Sequence, residues 1–451
     1  MSDEPKLRTL LISANREMFP SPVVPIGVLA IAGAIRDAHD VRVLDLCFAE
    51  DPHAEIEAAI AQFDPQVVGL ALRNLNTNAY SDEGTQALLR EYTDLARTIR
   101  AHTQVPLVLG GAGYSLRPEG LLTRLGADIG VVGEGERAFR QIVDTLARGG
   151  AVPRIVHGGG VVHSQASGIQ LRRSAEIVSD LDLLPPIARD LVDPRYYAYT
   201  GTDNIQTKRG CAFGCTYCDY PDLEGRKVRV RSPARVADEV LERSRTAGVS
   251  FAFFVDSVFN VPPKAALQLC HELIARGSPL SWCCYGTPAA FDDELVEAMV
   301  RAGCCGVEVG SDSGTERMLK LLKKPFRIRD IVRTRELFVR HGLLDSHTFV
   351  LGAEDETPDE VRRSLEFVDR LDPDVAVFVV YTEDREAMTV GRAQHRESIL
   401  RLLADVAPNR SGWVVPELGI RSVPRPKPTR GPAWLEYARH RRGKAEGAVA
   451  T

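Results

Sequence analysis

Between residues 7 and 150 short apolar runs and amphipathic segments follow each other five times, and the apolar runs show no internal alternation of polar and apolar residues. A strand that is apolar on both sides must be covered on both sides, which is the condition of a parallel sheet between two layers of helices. The strands read as "LRTLLISA", "VRVLDLC", "VVGLALR", "VPLVLGG" and "IGVVGEGE". The helices between and after them read as "PIGVLAIAGAIRDA", opened by Pro25, then "HAEIEAAIAQF", "GTQALLREYTDLARTIRAHT", "PEGLLTRLG" and "RAFRQIVDTLARGG". The chain is therefore expected to be an α/β protein whose residues 1–150 form a doubly wound parallel sheet.

Residues 151–205 break this rhythm. The Gly-rich "HGGGVVHSQASG" and the Pro-containing "LDLLPPIARDLVDPRYY" carry few periodic apolar positions and read as a linker or cap. Alternation resumes with "NIQTKRG", "FAFFVD", "LSWCCYG", "CCGVEVG", "SHTFVLG" and "DVAVFVV", separated by helices such as "SPARVADEVLERSRTAG" and "FDDELVEAMVRAG". Six strands of this kind over 206–390 make a partial (β/α)6 barrel of the TIM type. Residues 391–451 read as a helical segment followed by a basic, Pro-rich tail, "RSVPRPKPTRGP" and "HRRGKAEGAVAT", expected to be poorly ordered.

The first barrel strand runs directly into "RGCAFGCTYC", which sets Cys211, Cys215 and Cys218 at C-x3-C-x2-C. A structural zinc ion takes four protein ligands, and the next cysteine, Cys270, and the next histidine, His271, offer no knuckle spacing. An iron–sulfur cluster on three thiolates keeps one iron open, as a catalytic metal does for its substrate. The position after a barrel strand places that open iron in the active-site mouth. The other cysteines read as small buried side chains: Cys283–Cys284 and Cys304–Cys305 are adjacent residues that face opposite ways, although Cys304 or Cys305 could donate hydrogen.

Composition allows this reading. With 44% hydrophobic and 26% charged residues the 451-residue chain is globular, and its formal net charge of −5 argues against a nucleic-acid-binding surface as its main purpose. No apolar run reaches the ~18 residues of a membrane span. The opening "MSDEPKLRTLLISAN" has no secretory h-region, so a cytoplasmic location is expected, where nine cysteines serve as ligands and core residues instead of disulfides.

The cysteine loop, together with "FFVDSVFNVP", "AGCCGVEVGSDSGTERMLKLLKK" and "VLGAEDET", resembles the radical S-adenosylmethionine superfamily, and "PIGVLAIAGAIR", "DPQVVGLALRN", "VLGGAGYSLRPEGLL" and "ADIGVVGEGERAF" resemble the cobalamin-binding domain of one of its subgroups. The resemblance implies a cobalamin-binding, Rossmann-like N-terminal domain. It also implies a [4Fe–4S] cluster whose open iron binds the amino and carboxylate groups of S-adenosylmethionine, cleaved by an electron to methionine and a 5′-deoxyadenosyl radical. By the same resemblance the neighbourhood of Tyr217 packs against the adenine, Asp256 and Ser257 meet the methionine amino group, and Glu308 and Ser311 meet the ribose and carboxylate. Tyr285 ends the third barrel strand at the same face.

Cobalamin is expected beyond the carboxyl ends of the N-terminal strands, where Gly110, Gly111, Gly113, Tyr114, Gly133 and Glu134 lie and where glycines admit a close ligand. A histidine-ligated corrin would need D-x-H-x-x-G after the first strand, and that loop, "NREMFPSPVVP", has no histidine. "DPHAEI" follows the second strand, so His53 belongs to a solvated helix start. Cobalamin is therefore expected without a protein histidine under cobalt, with Arg73 or Asn74 closest, held between these loops and the barrel mouth.

An enzyme follows, because a corrinoid sensor has no use for an open iron. The expected reaction is C-methylation of an unactivated carbon of a small molecule or natural-product intermediate. A rearrangement or cyclisation without methylation, or a mutase or epimerase with a vestigial N-terminal domain, is the alternative. A methylthiotransferase is disfavoured, since residues 1–150 contain only Cys47. The electron would come from a donor such as flavodoxin or ferredoxin. No residue names the substrate.

Overall fold

The computed structural model describes residues 5–18, 21–75, 82–152, 154–158, 160–165, 168–170, 177–381, 389–420 and 430–449. Contacts divide the chain into two compact units. One holds the residues before 78, Thr85–Arg195 and Asp222–Gly225; the other holds 78–84, Tyr196–Pro221 and Arg226–Thr451.

The first unit is built on β1 (Arg8–Ser13), β2 (Asp40–Asp45), β3 (Val67–Ala71), β4 (Leu107–Gly110) and β5 (Ile129–Gly133). They run parallel in the order β2-β1-β3-β4-β5. Both faces are covered, as the unbroken apolar runs require. Leu10, Ile12, Leu70 and Leu109 pack with Tyr92 and Leu95 on one side. Leu11, Val108, Ile129 and Val131 pack with Ala32, Phe139 and Ile142 on the other. Strand order reverses between β1 and β3, so the loops at 14–18 and 72–75 flank the crevice where such sheets take ligands. Part of the segment read as a linker extends this sheet: β6 (Ile155–Gly158) pairs parallel with β5, and β7 (Gly160–Gln165) and β8 (Gly168–Gln170) follow antiparallel. Edge pairing supplies the backbone hydrogen bonds that the weak periodicity of those residues did not announce.

The second unit contains β9 (Thr202–Ile205), a ribbon of β10 (Lys208–Arg209) with β11 (Arg229–Val230), then β12 (Phe251–Phe254), β13 (Ser281–Gly286), β14 (Cys304–Asp312), β15 (Leu344–Leu351), β16 (Val375–Val380) and β17 (Trp413–Val414). Seven strands form one parallel sheet, β17-β16-β15-β14-β13-β12-β9. The first barrel strand is thus shorter and earlier than "NIQTKRG", because Lys208 and Arg209 leave the sheet for the ribbon, and the two-residue β17 adds a seventh strand to the six read from sequence.

The tail corrects the expectation of disorder. Ala433–Val449 is a helix, and Leu435 and Ala438 on it are 0% exposed, packed with Phe251, Phe253, Cys283, Leu344 and Val375. Four strands spaced ~4.8 Å apart contribute to this one cluster around a helix ~10 Å wide, so the sheet curves around the helix and the helix fills its lumen. Arg442 pairs with Asp374 at 2.6 Å and donates to the Leu343 carbonyl at 2.8 Å, which fastens the far end of the helix beside the start of β15 and β16. Trp434, Leu435, Tyr437 and Ala438 carry the apolar face, and the Pro- and Arg-rich residues around them masked it. Residues 421–429 lie outside the described residues.

Candidate active site

The cysteine loop is held at both ends by buried charge. At its entry, Thr207 N–H and Lys208 N–H donate to Asp256 Oδ1 at 2.7 and 3.1 Å, and Thr207 Oγ1 donates to Asp256 Oδ2 at 2.5 Å. Asp256 is 2% exposed. Burial pushes its carboxyl up, against the pull of Lys208 and these donors. Lys208 in turn donates to the Phe259 carbonyl at 2.8 Å and to that of Val261. Asp256, expected to meet a ligand, therefore spends both oxygens fixing the chain just before Cys211. Ser257 follows it, half-buried.

At the far end, Thr216 N–H donates to the Leu322 carbonyl and Tyr217 packs against Met318, Leu322 and Ala353. The Tyr217 hydroxyl donates to Asp312 Oδ1, at the end of β14. Lys324 completes the group, with its Nζ 2.6 Å from Asp312 Oδ2, 3.1 Å from the Tyr217 hydroxyl and 3.4 Å from Cys215 Sγ. Burial works against the Lys324 ammonium, but Asp312, Tyr217 and Cys215 outweigh it and raise its pKa. Burial raises the thiols of Cys215 and Cys218, and each thiol is influenced by Cys211. Asp312 and Lys324 were not read from the sequence; "SDSG" at a strand end and "KK" after the next helix were the available signals.

The fit to a cluster follows from the donor set. All three cysteines are free and half-buried on one short loop. Among the described residues no three His, Cys, Asp or Glu side chains gather at single-ion spacing. A cluster does not ask for that, because each thiolate binds a different iron.

Other expected residues separate. Ser311 is 0% exposed and its Oγ lies 2.7 Å from His347 Nδ1, on the opposite face of β14 from Asp312 and Glu308. Glu308 sits in the middle of β14, not at its end, where its Oε1 accepts from Trp434 Nε1–H at 2.8 Å. Tyr285 is its register partner on β13 and is 41% exposed. Cys283 faces the lumen, 3.9 Å from Cys305, while Cys284 and Cys304 interact on the other side with Cys270.

In the first unit, Gly110 ends β4, and Gly111 and Gly113 follow it. Gly111 has φ +98°, and a Cβ there would lie 2.4 Å from the Leu72 carbonyl oxygen; one on Gly113 would lie 2.9 Å from the Asn74 backbone. Gly113 N–H donates to the carbonyls of Leu72 and Arg73 at 2.9 and 3.0 Å. These two glycines thus let the loop after β4 close on the loop after β3, where the space a Cβ would take is filled by the protein's own backbone. Tyr114 is a core residue, 0% exposed, with its ring over Gly130. Gly133 (φ +82°) donates from its N–H to Ser115 Oγ at 2.9 Å, and Glu134 accepts from Val178 N–H at 3.2 Å. Arg73 is exposed at the end of β3; Asn74 accepts from Tyr92 through its carbonyl. In the loop after β1, Asn15 is 5% exposed and its Nδ2 finds no partner among the described residues. An exposed arginine and a buried unpaired carboxamide at the switch point fit a large amide-bearing ligand. None of the described loops beyond β1, β3, β4 and β5 carries a histidine, and His53 lies in the first turn of the helix Pro52–Phe63, capped by Asp51.

Residues 13–143 match the family profile of the B12 binding domain, and residues 205–368 match that of the Radical SAM superfamily. The chain belongs to the cobalamin-binding subgroup of the radical S-adenosylmethionine superfamily. It is an enzyme, and members of this subgroup combine cobalamin with a [4Fe–4S] cluster and S-adenosylmethionine. The solved methyltransferase TsrM from Kitasatospora setae, with tryptophan and a S-adenosylmethionine analogue bound, superposes with a TM-score of 0.72 at 26% identity, over 83% of this chain and 73% of that one. An uncharacterized methyltransferase of Pyrococcus horikoshii is 27% identical over 82% of this chain and 78% of its own. Tryptophan 2-C-methyltransferase of Streptomyces laurentii is 26% identical over 81% and 71%. An anaerobic magnesium-protoporphyrin IX monomethyl ester cyclase of Rubrivivax gelatinosus is 24% identical over 78% and 62%. Among the described residues no helix is long and apolar enough to cross a membrane.

Proposed function

We propose that this enzyme methylates an unactivated carbon of a small molecule or natural-product intermediate. The observation that carries the reading is a three-cysteine barrel mouth and a B12-binding sheet in one chain. Relatives named as methyltransferases support it. Cys211, Cys215 and Cys218 would hold the cluster, which supplies, when bound, the electron that splits S-adenosylmethionine into methionine and a 5′-deoxyadenosyl radical. Asp256 sets the entry of the cysteine loop, and Tyr217, Asp312 and Lys324 set its exit and keep a positive charge beside the Cys215 sulfur. Ser257 and the mouth-facing part of β13 are left to contact S-adenosylmethionine. Cobalamin, when bound, supplies the methyl carrier. Arg73, Asn74, Asn15 and the backbone at Gly110, Gly111, Gly133 and Glu134 would border it, without a protein histidine under cobalt. An electron donor such as flavodoxin or ferredoxin and a cytoplasmic location belong to the same proposal.

The cyclase relative favours one second reading, a cobalamin-assisted cyclisation or rearrangement without net methylation. The test is chemical. Anaerobically reconstituted protein should carry about four irons and four sulfides per chain, lose them when Cys211, Cys215 or Cys218 becomes Ala, and release 5′-deoxyadenosine with dithionite and S-adenosylmethionine. Retention of the cluster in all three variants would sink the assignment.

A further inference from the structure

Among the described residues, the lumen of the second unit holds a carboxyl, that of Glu308, that neither the cysteine loop nor its supporting network uses. Glu308 lies before Asp312 on β14 by a stretch that spans three residues of β15, from Ser346 to Phe349, so about 10 Å of strand separates it from the charged group beside Cys215. Its neighbours in register are Tyr285 on β13 and Ser346 on β15, which places these three side chains across one rung of the lumen face. Phe253 stands against Tyr285, with ring centroids 5.0 Å apart and an edge-to-face arrangement. From below, the C-terminal helix brings Trp434 under the rung. A Cβ on Gly306 would lie 2.6 Å from both Trp434 Cη2 and Leu435 Cδ2, so the indole lies along β14 between Gly306 and Glu308. The helix thus closes the lumen beneath the rung, and the carboxyl ends of the strands, where the cysteine loop follows β9, lie above it.

Among the described residues Glu308 pairs with no lysine, arginine or histidine, and its carboxyl accepts from the Trp434 N–H. A half-buried carboxylate without a cation is costly, and the aromatic rings of Tyr285 and Trp434 beside it also attract cations. A ligand with a positive nitrogen would satisfy both at once. An anion would be repelled, and a neutral hydroxyl would gain only an ordinary hydrogen bond.

We propose that Glu308 anchors the substrate through a protonated amine, with the flat or apolar body of the substrate against Tyr285, Phe253 and Trp434 and its reacting carbon toward the cysteine loop. Glu308 is then a positioning and specificity-determining residue, and Trp434 orients its carboxyl. The inference rests on the reading of the barrel mouth as the reaction site, but its test is a binding measurement that needs no methyl transfer.

Calorimetric titration of the full chain, reconstituted with cluster and cobalamin and saturated with S-adenosylmethionine, would use three probes of one shape: phenethylamine, phenethyl alcohol and phenylacetate. The amine should bind saturably and the other two should not. Glu308→Gln, which keeps the shape, should weaken amine binding by about tenfold or more, the loss of a charge-assisted contact. Trp434→Phe should weaken it less, and iron content reports whether each variant is folded. No binding of the amine to the unaltered protein, equal binding of phenylacetate, or unchanged amine affinity in Glu308→Gln would overturn the proposal. Assay of 5′-deoxyadenosine on the same preparations separates the two claims, since amine binding without any S-adenosylmethionine cleavage condemns only the proposed function.

Discussion

The two units set parallel strands in sheets of opposite economy at their ligand-facing side. At the strand ends of the first, backbone meets backbone: Gly111 and Gly113 bring the loop after β4 onto Leu72, Arg73 and Asn74, and the polar side chains left over are few. In the lumen of the second, side chains do the work, with Lys324, Asp312 and Tyr217 near the cysteines and Glu308 with Trp434 deeper in. A site made of backbone tolerates loss of a side chain but not gain of one. A site made of buried charges behaves in the reverse way, because removing one partner leaves the other unpaired.

The sharpest break of this contrast is Lys324→Met, which leaves Asp312 buried without its cation and should cost about 3–5 kcal/mol of stability. Denaturant unfolding under anaerobic conditions reads it. Next is Leu435→Ala, which opens a cavity where the C-terminal helix fills the lumen and should cost ~2–4 kcal/mol; a change within a few tenths would mean that the helix does not support the barrel. In the first unit the contrast predicts a cost for adding one methyl group. Gly111→Ala forces φ +98° on alanine against the Leu72 carbonyl and should cost ~1–3 kcal/mol, whereas Gly110→Ala, with nothing nearer than 4.0 Å, should stay within ~0.5 kcal/mol.

The smallest effect is in pH. Burial raises Glu308 to about 7, with the Trp434 N–H pulling the other way. In the unfolded chain the same carboxyl titrates in its ordinary range near pH 4.3. Between those values the folded form binds more protons, so Glu308 makes stability fall as pH rises from about 4.5 to about 7. Glu308→Gln should remove that slope, and parallel pH profiles for the two proteins would contradict the desolvation of this carboxyl.

Much of this was legible in the sequence. Unbroken apolar strands can only be the middle of a covered parallel sheet, so both sheets and their first five or six strands could be read directly, and the cysteine spacing pointed to the mouth. What escaped depends on contacts between distant residues. Nothing local in Asp312 or Lys324 says that they converge on Tyr217, 95 and 107 residues away in sequence. Ser311 looked like a strand-end ligand, but the register of β14 turns it to His347. The C-terminal helix has an apolar face of four residues, in a tail otherwise rich in prolines and arginines. Such a stripe gains its stability from the lumen that receives it, not from its own pattern.

The central claim is that one chain joins radical cleavage of S-adenosylmethionine to methyl transfer. The direct test is mass spectrometry of the products made from S-adenosylmethionine by anaerobic, reduced protein loaded with both cluster and cobalamin. The account predicts both 5′-deoxyadenosine and S-adenosylhomocysteine, with the first lost in Cys215→Ala. Production of 5′-deoxyadenosine alone by fully cobalamin-loaded protein would contradict methyl transfer, and S-adenosylhomocysteine alone would contradict the radical step.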